Sequence, residues 1–214
     1  MKTSDLTQNP VSDSEPIHDG DTLPIFLLKW FICSALFTLV SLHLMPIRFD
    51  LMEQFSNPLF YAEALFWFMS SLLLAVYVYE SSIPGALKRI RFLWAFAPLM
   101  MIAVLVVLRA PIHGIREETL AAMDLSQGRC GPIITVTGLL AAGIFYFWAR
   151  KRSVSIQPRF AAVAVALSAG SLASFIMEFI CPYENVMHLI IWHFMPLVLL
   201  GSLAAVAGRK LLNS

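Results

Sequence analysis

The chain has 214 residues, 58% of them hydrophobic and 14% charged, with a formal net charge of +1. Its mean hydropathy is +0.74. A soluble domain is about 45–50% apolar and about 25% charged. The composition therefore excludes an ordinary water-exposed globule and makes lipid the natural solvent. The net charge decides nothing by itself; the placement of the charges does.

In chain order, residues 1–23 come first, as an acidic cytoplasmic tail. Asp5, Asp13, Glu15, Asp19 and Asp21 stand there against Lys2. Pro10, Pro16 and the Asp19-Gly20 pair oppose regular structure. A crossing of the hydrocarbon core needs about 20 apolar residues at about 1.5 Å each. Six stretches read as crossings: 24–45, closed by Pro46; 59–79; 92–108, short but strongly apolar; 132–149; 160–180; and 188–208. Residues 209–214 follow as a cytoplasmic C-terminal segment. Small residues in the fifth stretch, such as Ala166, Ala169, Gly170 and Ala173, suit close approach by neighbouring helices. The first stretch is too long for the apolar part of a signal peptide and lacks a basic leader and a small-x-small cleavage pattern. The expected fold class is all-α: a polytopic membrane protein, a bundle of six transmembrane helices with both ends of the chain inside.

Lys and Arg set the orientation. With the N-terminus inside, the inner segments hold Lys2, Lys29, Lys88, Arg89, Arg91, Arg150, Lys151, Arg152, Arg159, Arg209 and Lys210, which is 11 of the 15. The outer segments hold Arg48, Arg109, Arg116 and Arg129. Trp30, Trp94, Tyr146, Trp148 and Tyr183 stand near stretch ends, as interfacial anchors do.

The chemistry gathers on the outer face. Cys33 lies within the first stretch and reads as a small apolar core residue. Cys130 stands at the outer start of the fourth stretch and Cys181 at the outer end of the fifth. Stretch four runs inward about 30 Å and stretch five returns the same distance, so the thiols come back to one membrane height on adjacent antiparallel helices. A disulfide needs Cα atoms within about 7 Å, and helix axes about 8–10 Å apart permit it. The pair reads either as a structural clamp or as a redox or metal-responsive switch. Around it lie Glu178, Glu184, His188 and His193, with Glu184 and His188 four apart. These four are either capping and hydrogen-bonding groups or a functional cluster, since ionisable groups at the lipid edge are costly. Thiolate with imidazole favours soft and borderline metals, but the spacing matches no standard zinc motif.

Residues 117–123 in the long outer loop read as a short surface helix, with His113 as a solvated loop residue. Glu63 and His43 are expected to hydrogen-bond between helices. The chain shows no GxGxxG, no P-loop and no CxxC.

Several short motifs, in this order and topology, resemble the NrsF-like family of bacterial inner-membrane anti-sigma factors. They are the opening Met1-Lys2-Thr3-Ser4-Asp5-Leu6, Ile83-Pro84-Gly85 before basic residues, Arg129-Cys130, Cys181-Pro182, Trp192-His193 and the closing Gly208-Arg209-Lys210-Leu211-Leu212. The resemblance implies a non-enzymatic regulator in the bacterial inner membrane, with no cofactor and no direct contact with nucleic acid. It implies an extracytoplasmic-function sigma factor as partner and Cys130 and Cys181 as the sensing residues. The expected sigma-binding residues on the cytoplasmic face are Asp5, Leu6, Asp13, Glu15, Lys88, Arg89, Arg91, Arg150, Lys151 and Arg152. Two other classes compete. A thiol–quinone oxidoreductase needs a second cysteine pair to relay electrons. A small transporter or metal permease needs broken helices and midplane charges, for which Glu63, Pro98 and Pro196 are the candidates.

Overall fold

The computed structural model of the chain describes residues 22–81, 89–113, 129–150, 158–183 and 185–211. Among the described residues the fold is all-helical. α1 runs Leu23–Leu44 and carries Pro24 in its first turn, where the missing N–H costs no hydrogen bond. It stops because Met45 precedes Pro46 and is driven into extended backbone, with φ −123° and ψ 142°. A short α2, Leu51–Gln54, lies in the connector to α3, Pro58–Ser81. α4 is Arg89–His113, α5 is Cys130–Arg150 and α6 is Pro158–Met177. The last rod is continuous: α7 Val186–His188, a π-turn Leu189–Phe194, and α8 Met195–Leu211.

Four of these rods are long and apolar enough to cross a membrane: Leu23–Ser41, Pro58–Ser81, Arg159–Met177 and Val186–Gly208. This is the mark of a membrane protein. The sequence reading counts six. The third and fourth expected crossings correspond to α4 and α5, whose apolar runs are the shorter Leu93–Leu108 and Cys130–Ile144. The expected fifth crossing also ends early, at Met177, because residues 178–180 form a turn. The surface helix expected over 117–123 lies outside the described residues. His113 is the last helical residue of α4, not a loop position.

α6 is the centre. Ala164, Ala166, Ser168, Ala169, Ser171, Ala173 and Ser174 are all buried on it, and α3, α5 and α8 each pack against it. Residues this small let backbones approach closely. At Gly138 of α5, a Cβ would fall 2.7 Å from Leu200 of α8 and 3.6 Å from the Cα of Gly170 on α6. A polar tie joins α6 to α3: the Ser168 hydroxyl donates to the Ser71 carbonyl at 2.8 Å, with the Ser71 hydroxyl 3.4 Å away.

α1 is peripheral. It touches the bundle through Phe26, Trp30 and Ser34, one residue every fourth position, and exposes Leu28, Phe31, Leu36 and Leu39. Trp30 packs on Phe68 and Phe26 on Tyr79, both of α3. Cys33 falls off this narrow stripe and is exposed, so it is not the core residue its apolar surroundings suggest. His43 is exposed for the same reason, whereas Glu63 is buried on α3.

The hairpin arrangement fixes which ends share a level. The connector after α1 bonds to the turn after α6, Arg48 N–H donating to the Phe179 carbonyl at 3.1 Å. Phe60 at the start of α3 meets Phe179 edge-on. One end of the bundle thus gathers the end of α1, the start of α3, the start of α5 and the end of α6. The start of α1 and the end of α8 lie at the opposite end.

Ser168→Ala removes the α3–α6 tie and is expected to cost about 1 kcal/mol, the scale of interhelical hydrogen bonds in membrane bundles. Reversible unfolding of the detergent-solubilised protein measures it.

Candidate thiol and imidazole site

Cys130 opens α5 and Cys181 follows the turn that ends α6, so an antiparallel hairpin of about 20-residue helices returns both thiols to one level. Both are buried, 5% and 4% exposed. The Cys130 thiol donates to the Cys181 sulfur at 3.0 Å, and both cysteines are free. The Cys181 sulfur also lies 3.2 Å from His188 Nε2. This hydrogen bond from Cys130 holds the Cys181 thiol far below its ordinary range, with His188 and His193 acting in the same sense and burial opposing.

Two local features deliver the histidines. Asn185 caps α7, its side-chain oxygen accepting the His188 backbone N–H at 2.6 Å. The π-turn does the rest. In an α-helix, positions five apart point about 140° away from each other. A π-turn closes its hydrogen bonds over five residues and stacks those positions on one side. His188 precedes the turn and His193 lies within it, and their rings meet at 5.6 Å. Both are buried, 0% and 2% exposed. Four atoms, one each from Cys130, Cys181, His188 and His193, lie within 4.8 Å of one another.

The shell around them is apolar. Trp67, Ile102, Val106, Ile134, Met177, Val186 and Leu189 belong to the same core cluster as the two cysteines. Phe194 of the π-turn packs on Trp67 with ring centroids 5.3 Å apart. Trp192 lies over Gly131, where a Cβ would stand 2.7 Å from its ring. Glycine beside Cys130 is thus what lets the π-turn approach α5.

The sequence reading did not single out Arg48. It lies in the connector after α1, yet it is buried. Its Nη1 donates to the Glu178 carbonyl at 3.4 Å. Nε and Nη2 grip the Asp50 carboxylate at 2.7 and 2.6 Å in a bidentate fork. Arg48 thereby ties the connector to residues 178 and 179, two residues from Cys181. The Arg48 guanidinium holds the Asp50 carboxyl down at about 2. A signal existed in principle, since an arginine two before an aspartate can fold into such a fork, but nothing in the pattern showed that it turns inward.

Of the expected cluster, Cys130, Cys181, His188 and His193 come together. Glu178 is buried in the adjoining turn, and Glu184 lies outside the described residues. So do Asp5, Leu6, Asp13, Glu15, Lys88, Lys151 and Arg152. The backbone positions of Arg89 and Arg91 open α4, and that of Arg150 ends α5.

Gly131→Ala forces the Trp192 ring aside and is expected to destabilise the fold by about 1–3 kcal/mol, as overpacking does; thermal unfolding checks it. The Asp50 carboxyl is depressed in the folded state, so its contribution is complete above about pH 4 and fades as pH falls toward 2. Asp50→Asn should remove that acid-range loss, seen as a flatter stability profile between those pH values.

A family model described as "Negative regulator of sigma F" matches residues 11–213, nearly the whole chain. No curated protein matches, and no solved structure does. The chain belongs to the NrsF family, the negative regulators of sigma F.

Proposed function

We propose that this chain is a multi-pass anti-sigma factor of the bacterial inner membrane, which holds an extracytoplasmic-function sigma factor at its cytoplasmic face. Oxidative or heavy-metal stress acting on Cys130 and Cys181 outside releases it. One observation carries the reading: in a family that regulates a sigma factor, two thiols in contact at 3.0 Å stand at one end of a helical bundle. The helix ends bearing Arg89 and Arg150 stand away from them.

In this reading α4 and α5 cross the membrane too, making six crossings. Their 25 and 21 residues span roughly 37 and 31 Å at 1.5 Å each, enough for a hydrocarbon core of about 30 Å. Both ends of the chain then lie inside, as the lysine and arginine bias favours. The acidic segment 1–23, with Asp5, Leu6, Asp13 and Glu15, meets the sigma factor. It is joined by the basic positions Lys88, Arg89, Arg91, Arg150, Lys151 and Arg152. Acidic residues complement the basic DNA-binding surfaces of a sigma factor.

The chemical event is a two-electron oxidation. A peroxide takes two electrons and two protons from Cys130 and Cys181, is reduced to water, and leaves a disulfide. Joining the sulfurs draws α5 and α6 together at the outer end. Rigid helices carry that change to the inner segment 151–157, which connects them. Moving a switch from 1:99 to 99:1 takes about 5.5 kcal/mol, and a disulfide supplies energy of that order.

The test is co-purification of the full-length membrane protein with an extracytoplasmic-function sigma factor from the same cell, with and without peroxide. The wild type should retain the factor when reduced and lose it on oxidation. Cys130→Ser and Cys181→Ser should retain it in both states. Peroxide release persisting in the double variant would leave the cysteines as a clamp.

A further inference from the structure

We propose that Cys130, Cys181, His188 and His193 form a closed four-coordinate site for one divalent d10 cation, zinc(II) or cadmium(II). The proposal deepens the function above and rests on it for the consequence of binding; the site itself stands on geometry.

Hydrogen bonding at the two imidazoles is unmet. Neither ring nitrogen of His193 has a hydrogen-bond partner among the described residues, and neither does Nδ1 of His188. Both rings are buried in an otherwise apolar shell. A buried polar atom without a partner costs about 1–3 kcal/mol, so two histidines kept in such a place need a reason. A cation bound by one nitrogen of each ring supplies it.

The dimensions suit a metal ion. Ligand bonds of about 2.3 Å to sulfur and 2.0–2.1 Å to nitrogen, set tetrahedrally, place sulfurs about 3.8 Å apart and sulfur and nitrogen about 3.6 Å apart. The observed separations are 3.0 Å between the sulfurs and 3.2 Å from Cys181 to His188. All four donor atoms lie within 4.8 Å of one another. Admitting an ion requires these two pairs to part by about 0.8 and 0.4 Å, and a pair at the 4.8 Å limit to close by about 1.2 Å.

The charges balance. When the cation enters, two thiol protons leave to solvent and two neutral imidazoles remain, so a 2+ ion meets two thiolates. The assembled centre is neutral, which is the condition for placing ions in an apolar interior. A monovalent cation would leave a net negative charge there. Hard cations such as magnesium prefer six oxygen ligands and find none in this set. All four donors come from protein, so no position is left open for a catalytic water. The half-exposed Tyr183, whose ring lies 5.2 Å from that of His188, marks the side of entry.

The experiment uses the full chain, purified in detergent and fully reduced. Cadmium(II) should produce a thiolate-to-cadmium ultraviolet charge-transfer band that saturates at one ion per chain. Cobalt(II) should give the intense visible bands of a tetrahedral sulfur–nitrogen centre. His188→Gln and His193→Gln should each weaken binding by more than about 100-fold, beyond the 10–100-fold that losing a group behind a ligand costs. Cys33→Ser should bind as the wild type does. No charge-transfer band in the reduced wild type would overturn the site, and that outcome depends on no variant folding. So would an octahedral cobalt spectrum, or unchanged affinity in both histidine variants. Sigma-factor capture is measured on the same samples. Ion binding without any effect on capture would overturn the sensory reading above and leave the site intact; cadmium-independent capture and release with no ion bound would do the reverse.

Discussion

α6 can be touched by three helices at once because most of the residues buried on it are alanine, serine or glycine. In lipid there is no hydrophobic force pulling helices together, since acyl chains are as apolar as leucine. Association must come from close packing and a few hydrogen bonds. Gly138 against Gly170, and Ser168 against Ser71, are that packing and that bonding. Once α3, α5 and α8 are fixed around α6, the start of α5 and the end of α6 must share a level, and the two thiols follow from it. A large residue at position 138 would separate α5 from α6 and open the thiol pair with it.

The tight centre also explains why the polar cluster can exist where it does. Cys130, Cys181, His188 and His193 sit among Trp67, Ile134, Met177 and Leu189. An ordinary α-helix from residue 186 would aim one histidine inward and the other away. The π-turn over Leu189–Phe194 spends regular geometry to point both inward. Gly131 gives the turn room for Trp192, and Asn185 fixes where the helix begins. Three local features thus converge on one small volume. Convergence of that kind is a mark of a site held in place by its surroundings rather than by chance packing.

Much of the arrangement was legible in residue order alone. Apolar stretches located the helices to within a few residues, except that the last crossing starts earlier and carries a π-turn. The level shared by Cys130 and Cys181 followed from counting residues along two helices. What stayed hidden depends on rotation about a helix axis. Leu-Ile-Ile-Trp-His-Phe reads the same whether wound as α or π, so the meeting of His188 and His193 had no sequence signal. Cys33 was misplaced for a related reason: in a helix apolar all round, no periodicity tells the face on Phe26, Trp30 and Ser34 from the face toward lipid. Arg48 was read as a loop charge, because nothing local shows that its fork closes on Asp50 while its backbone reaches across 131 residues to Phe179.

That Arg48 tie limits what any event at Cys181 can do. The turn at residues 178–180 is held from one side by the end of α6 and from the other by the α1–α3 connector. A bond made at Cys181 therefore cannot be absorbed by a loose loop. It must strain either the Arg48–Asp50 fork or the seat of α5 against α6. The fork is two strong charge-assisted hydrogen bonds, whereas α5 meets α6 at Gly138 and Gly170 through van der Waals packing alone. Movement is thus directed along the α5–α6 seam, toward the segment that joins their far ends. A partner held near that segment would feel changes at the thiols more than one held near α3 or α4.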